Sequence, residues 1–249
     1  MRVSVIIATY NRASTVVRAI KSLKNQTYND IQIVVVDGNS TDNTLLAIKP
    51  MLNDKDILLS EPDNGIYDAL NKGLALTEGD IIAFLHSDDL YYDDNIISKV
   101  VDAFSVVDVD VVYGDVLFFS NKKVDKSVRK YRSDKLLKKN LAWGKMPAHP
   151  AMFIKRRVYE KIGYFKTDYI IAADYEFMCR LVNYVNLNAV YLPYTFVRMQ
   201  LGGISTGGFK NTVLLNKEVL RALNKNGIYS NIFMLLSKYP SKILQFLRT

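Results

Sequence analysis

Apolar positions in the first hundred residues fall into short blocks separated by amphipathic stretches. Val3–Thr9 is β-rich and Ile31–Asp37 is a continuous apolar run, the pattern of strands buried on both faces. Between them Ser14 is placed to cap a helix running to about residue 25. Thr41 or Asp42 opens a second helix, Ile57–Ser60 reads as a short strand, Ile66–Leu76 as a third helix and 81–85 as a fourth strand. This βαβαβαβ series predicts a parallel sheet with right-handed crossovers. Ligands of such sheets sit beyond the carboxyl ends of the strands, which singles out the polar residues that follow each one.

The second half reads less regularly. A helix is predicted to follow residue 93 and run to 104, then a strand over 109–119 interrupted at Gly114-Asp115. Residues 122–145 hold ten Lys/Arg against two acids and too few apolar residues for a core element, which reads as a loop or a mobile helical flap. A short strand over 151–154, a helix over 174–185 and one or two strands over 189–199 follow. Gly202-Gly203 and Gly207-Gly208 frame a flexible loop, and helical patterns occupy 210–225 and 229–247, the last broken at Pro240.

Composition narrows the class. With 249 residues, 49% of them hydrophobic and 23% charged, the chain can bury a sizeable core. The lone Cys179 can form neither an internal disulfide nor a cysteine zinc site, and no apolar run of spanning length or signal-peptide pattern appears, so a reduced cytoplasmic setting is expected. The net charge of +8 alone suggests nucleic acid or an anionic surface. It is unevenly distributed: residues 1–100 carry 9 Lys/Arg against 14 Asp/Glu, 101–200 carry 17 against 10, and 201–249 carry 7 against 1. The front is acidic and the back is basic.

Several side chains then stand out for their chemistry. Asp88-Asp89 follows an apolar strand, and adjacent carboxylates suit a hard divalent cation, Mn²⁺ or Mg²⁺, or else a helix cap. Lys72, beside Asn71 in the third helix, reads from the residues as a solvated helix lysine. Asp174 heads a helix, either as its N-cap or as a positioned carboxylate, with Glu176 next to it. Trp143 could anchor its own loop, and His149 could be satisfied in the core. Lys122, Lys123, Lys126, Arg129, Lys130 and Arg132, with Lys155, Arg156 and Arg157, could guide an anionic group. The tail interleaves Ile232, Phe233, Leu235, Leu236, Tyr239, Ile243, Leu244, Phe246 and Leu247 with Lys238, Lys242 and Arg248, which suits an interfacial segment or a stripe packed on protein or on a second copy, a possible homodimer.

Five ordered segments add a resemblance. They are 5–12 (VIIATYNR), 34–42 (VVVDGNSTD), 61–73 (EPDNGIYDALNKG), Gly79-Asp80 and 84–89 (FLHSDD), and together they resemble the signatures of family 2 glycosyltransferases. The similarity extends over roughly residues 1–200, and the segment 60–73 is most similar to bacterial enzymes that build O-antigen or related polysaccharide repeat units. It implies a GT-A fold, an α/β Rossmann-like, mostly parallel sheet flanked by helices, here with a C-terminal helical extension. On this expectation 1–228 is one catalytic domain, with 1–100 for nucleotide-sugar and metal and 101–228 for the acceptor, and 229–249 is an amphipathic segment.

The resemblance further implies an inverting transfer of a hexose from a UDP-sugar, UDP-glucose or UDP-galactose first, to a sugar on an undecaprenyl-diphosphate carrier, at the inner face of the bacterial cytoplasmic membrane. Thr9 and Asp37 match donor-nucleotide positions, Asp89 the metal ligand, Asp88 a ribose or indirect metal contact, and Asp174 the catalytic base, with Glu176 the second candidate; with such a donor Asn71 and Lys72 could meet its diphosphate, His149, which also resembles a family position, the acceptor or donor phosphates, and Trp143 an acceptor sugar. Asn39, His86 and Ala173 depart from the family's usual residues at their positions. Two rival readings are a nucleic-acid-binding protein using 122–145 and an inactive module that binds sugar-nucleotide or docks on membrane.

Overall fold

A computed structural model describes residues 1–106, 108–120, 123–133, 136–202 and 208–237. The front half alternates strands β1 (Val3–Thr9), β2 (Ile31–Asp37), β3 (Ile57–Ser60) and β4 (Ile81–Phe84) with helices α1 (Ala13–Lys24), α2 (Thr44–Ile48) and α3 (Ile66–Leu76). These four strands pair in parallel in the spatial order β3-β2-β1-β4.

The rest of the chain extends that sheet from β4. It comprises β5 (Leu90–Tyr91), α4 (Ile96–Ser105), β6 (Val111–Ser120), β7 (Lys123–Tyr131), α5 (Lys138–Ala142), β8 (Met152–Lys155), α6 (Arg156–Ile162), α7 (Ala173–Leu181), β9 (Ala189–Gln200), α8 (Phe209–Lys225) and α9 (Ile232–Leu236). Here the sheet becomes mixed: β8 runs antiparallel to both β4 and β6, β9 is parallel to β6, and β5 is antiparallel to β9.

Strand alternation sorts the core into two layers. Val3, Val5 and Ile7 of β1 belong to the cluster that contains Val16 and Ile20 of α1 and Val100 of α4. Ile6 and Ala8 point the other way, into the cluster of Leu70 and Leu74 of α3 with Met178 of α7 and Val219 of α8. The helix α3 lies close to the sheet at Gly73, where an added Cβ would stand 2.5 Å from Ile6 Cγ2.

The structure departs from the sequence expectations in four places. First, α1 begins at Ala13 with Arg12 as its N-cap and no side-chain cap bond, so Ser14 lies inside the helix. Second, 123–131 is a strand rather than a loop or helical flap. Among the described residues its partner strand is β6, and an edge strand needs few apolar side chains, so a lysine-rich sequence suffices.

Third, the cluster Lys155-Arg156-Arg157 is not near the expected ligand end. Lys155 pairs with Ile81 at the start of β4, and Arg156 Nε donates to Gly79 O at 2.8 Å. Arg157 is held by Asp108 and by Asp110 at 2.8 Å. Because β8 is antiparallel to β4, these cations lie at the opposite end of the parallel strands and form no route to the crevice. Fourth, α2 is only five residues long and starts at Thr44, whose backbone N–H donates to Asp42 at 2.9 Å.

In the tail, Leu235 is buried while Ile232, Phe233 and Leu236 are exposed. Lys122, the loop glycines Gly203 and Gly207, and the stripe from Lys238 to Arg248 lie outside the described residues.

Candidate active site

The carboxyl ends of β1 and β2 are laced into one floor. The backbone at Asn11 is left-handed, and its side-chain Oδ1 accepts from the amides of Thr41 at 2.9 Å and Asp42 at 3.3 Å. Ser40 Oγ accepts from Asn11 N at 2.8 Å, and Gly38 N donates to Thr9 O at 2.9 Å. A cavity of about 800 Å³ opens above this floor, large enough for a nucleotide sugar. Its walls include Thr9, Tyr10, Arg12, Gly38, Asn39, Asp63, Tyr67, His86, Asp88, Asp89, His149, Ile170, Ile171, Asp174 and Gln200. Residues far apart in sequence thus converge on one space.

Asp89 is the most constrained carboxylate there. It is 2% exposed, its Oδ1 accepts from Gln200 N at 3.0 Å, and its Oδ2 has no hydrogen-bond partner among the described residues. Burial, and next the charge of Asp88, push its pKa well above the usual carboxylate range. A buried orphan oxygen beside a second carboxylate is the arrangement a divalent cation relieves, so the residues fit an oxygen-bound Mn²⁺ or Mg²⁺. Among the described residues no group of three or more His, Cys, Asp or Glu gathers to hold a metal. A cation held here would therefore take most of its ligands from water or a bound molecule.

Asp174 is the second residue of α7, whose N-cap is Ala172, so the capping reading does not describe it. Its Oδ1 accepts from Tyr175 N at 2.8 Å and from Tyr67 Oη at 3.3 Å. Burial outweighs these bonds and raises its pKa from 3.8 to about 6. A carboxyl group poised there is ionised at neutral pH yet basic enough to take a proton. Tyr67 also donates to Ile171 O at 2.5 Å, and its own pKa is raised by burial and by the charge of Asp174.

His149 is buried against Phe84 and Phe165, with ring centroids 4.8 and 5.3 Å away. Its Nε2 has no partner among the described residues, and burial, then the proximity of His86, drives its pKa down to about 3. It meets the cavity as a neutral imidazole. Thr9 likewise presents a buried hydroxyl without a recorded partner.

Other candidates stand elsewhere. Asp37 is fully buried and turns its Oδ2 onto Ser40 N at 2.9 Å and Ser60 Oγ at 2.8 Å, bracing the loop whose Gly38 and Asn39 line the cavity instead. Asn71 exchanges two hydrogen bonds with the backbone of Phe165, at 2.9 and 3.0 Å. Lys72 is engaged by Glu61 at 2.8 Å and Asp68 at 3.5 Å and donates to Pro62 O. Two positions after Asp174, roughly half a turn round the helix, Glu176 faces away from the cavity and pairs with Arg180 at 2.9 Å. Trp143, 45% exposed after α5, is not among the cavity residues. None of these five side chains lines the cavity as it stands. The lining residues without a strong sequence signal are Tyr67, Ile170, Ile171 and Gln200, whose residue types are ordinary core or edge choices and whose roles come from tertiary placement.

The family model described as Glycosyl transferase family 2 matches residues 4–163. A "PGL/p-HBAD biosynthesis glycosyltransferase" of Mycobacterium bovis is 31% identical over 225 residues, covering 88% of this chain and 83% of that one. An uncharacterised glycosyltransferase of Mycobacterium tuberculosis is 31% identical over 194 residues, covering 72% of this chain and 68% of its own length. Among solved structures, S. aureus TarS 1-349 in complex with UDP-GlcNAc superposes with TM-score 0.68 at 21% identity, over 88% of this chain and 67% of that one. The mannosyltransferase PcManGT from Pyrobaculum calidifontis, in complex with GDP-Man and Mn²⁺, gives 0.66 at 20% identity over 92% of this chain and 65% of that one. At these identities the two structures speak to the fold, and this chain spans about two thirds of each.

Proposed function

The chain belongs to glycosyltransferase family 2, and from that premise we propose that it is an inverting enzyme moving a hexose from a UDP-sugar to a sugar on a lipid diphosphate. It is a glycosyltransferase with a GT-A-type mixed α/β fold. The observation that carries the finer reading is the convergence of Thr9, Asp88, Asp89 and Asp174 on one cavity, with an orphan buried oxygen on Asp89 and an elevated pKa on Asp174.

In this reading the donor nucleotide lies along the β1 and β2 loops, over Thr9, Gly38 and Asn39. Asp89, with Asp88, would hold Mn²⁺ or Mg²⁺, which when bound supplies Lewis-acid stabilisation of negative charge on the leaving diphosphate. Asp174 accepts the proton of the acceptor hydroxyl. The hydroxyl oxygen bonds to the anomeric carbon as the bond from that carbon to the β-phosphate oxygen breaks, and UDP departs. Attack from the face opposite the leaving group turns an α-linked donor into a β-glycoside. Tyr67 keeps the Asp174 carboxylate oriented through its hydroxyl. The neutral His149 offers a hydrogen bond to a sugar hydroxyl or phosphate oxygen without adding charge.

The whole of 1–228 acts as one catalytic unit in this account, because strands from both halves share one sheet. The exposed Phe233 and Ile232 on α9 support a peripheral position at an anionic membrane surface, and no helix among the described residues is long and apolar enough to cross a bilayer. The test is a panel of UDP-sugars with Mn²⁺ against GlcNAc- and GalNAc-diphospho-lipid analogues, read by product mass and anomeric configuration. A β-linked hexose product supports the reading. A retained α configuration, or transfer only from a donor with another nucleotide, refutes it.

A further inference from the structure

The stretch that delivers Asp174 to the cavity is gripped from behind by α8. Glu218 is 7% exposed and is the one acidic residue in 201–249. Its Oε1 accepts from Ile170 N at 2.8 Å, and its Oε2 accepts from Ile171 N and Ala172 N, both at 2.9 Å. Three consecutive amides wrapped on one anion form a nest, a strong and directional arrangement. One helical turn further along, Arg221 Nη1 donates to Asp168 O at 3.0 Å, and Lys225 stands 3.6 Å from the Asp168 carboxylate. The same helix therefore holds both ends of 168–172. The carbonyl of Ile171, in the middle of the gripped run, receives the Tyr67 hydroxyl that also reaches Asp174, and Ala172 is the N-cap of the Asp174 helix.

We propose that Glu218 is a positioning residue for the reaction, fixing the Ile170–Ala172 backbone and through it the Tyr67 hydroxyl and the Asp174 carboxylate. The inference rests on the reading of Asp174 as the base. Glu218, like Asp174 itself, lies outside residues 4–163, the span matched by the family model. Glu218 has a second, electrostatic effect. Burial is the main cause of the raised Asp174 pKa; Tyr67 from α3, Tyr175 of α7 itself and Glu218 from α8 are titratable groups that interact with it, and the charge of Glu218 adds a smaller upward push.

The test compares the full-length wild type with Glu218→Gln, Glu218→Asp and Asp174→Asn, measuring kcat, donor KM, UDP affinity with Mn²⁺, melting temperature and the pH profile of kcat. The Gln side chain keeps the shape, but its amide group meets the Ile170 N–H that a carboxylate oxygen accepted. We expect Glu218→Gln to lose about ten- to a hundredfold in kcat, the scale of a slightly misplaced catalytic group. UDP affinity should stay within about twofold, since the nucleotide floor is built by other loops, and the acid limb of the profile should move to lower pH. Glu218→Asp, which keeps the charge, should retain more activity than Glu218→Gln. Wild-type turnover in Glu218→Gln, an unmoved acid limb, or a UDP affinity that falls in step with kcat would overturn the proposal. If Asp174→Asn is inactive while Glu218→Gln is normal, only the role of Glu218 fails. Turnover in Asp174→Asn would overturn both.

Discussion

Replacing Asp174 by Asn should make the protein more stable at neutral pH, and the gain should vanish in acid. The folded state raises the pKa of this carboxyl from 3.8 to about 6, so between those values the folded chain binds a proton that the unfolded chain has released. Stability contributed by the group is therefore lost as pH rises from about 4 to 6, and the loss is complete above about pH 7. A shift of this size corresponds to about 3 kcal/mol. Asp174 is partly exposed, and solvent screening brings the expected gain nearer to 2 kcal/mol. The amide oxygen of Asn can still accept from Tyr175 N and the Tyr67 hydroxyl, so the variant gives up little in exchange. For a chain of 249 residues this means a melting temperature about 4–8 °C above wild type at pH 8. The assay is thermal unfolding of both proteins from pH 4 to pH 8. A difference that opens with pH supports the burial argument; a constant difference, or a less stable variant at pH 8, refutes it.

Two further outcomes follow from the same geometry. Wild type saturated with UDP and Mn²⁺ at a hundred times Kd should gain about 2.7 kcal/mol of stability, and Asp89→Asn should lose the Mn²⁺-dependent part of that gain in a thermal-shift titration. An increment that persists without Asp89 would show that its orphan oxygen holds no cation. Phe233 is 81% exposed, so Phe233→Asp should weaken co-sedimentation with phosphatidylglycerol vesicles while leaving UDP affinity unchanged. Equal sedimentation of variant and wild type would remove α9 from the membrane account.

The front half of the fold was legible because β1, β2 and β4 are buried almost throughout and alternate with helices. Continuous Val/Ile runs at 3–9 and 31–37 leave few alternatives, and the register places Thr9 opposite Asp37 at the sheet's carboxyl edge. The back half was harder to read for specific reasons. The lysine-rich sequence of an edge strand such as β7 looks like a loop, and the antiparallel β8 sends Lys155–Arg157 to the far end of the molecule, a reversal that charge counting cannot reveal. At the site, residue type alone left Asp88, Asp89 and Asp174 open as helix caps; the ordered motifs singled them out, and the fold brings all three to the cavity. Tyr67 and Glu218 were not singled out, since their importance arises from contacts across more than a hundred residues in one case and nearly fifty in the other. Asp37, Lys72 and Glu176 show the reverse: chemically attractive side chains that the fold engages in Ser40, Glu61 and Arg180.

If Asp174 takes the acceptor's proton, the cavity binds the donor independently of it. The direct measurement is the transfer rate of Asp174→Asn beside wild type, with a saturating UDP-sugar and acceptor, together with UDP affinity on the same preparations. General-base catalysis predicts that kcat falls by about 10²- to 10⁴-fold while UDP binds as before. Turnover by Asp174→Asn within a few-fold of wild type would contradict the account.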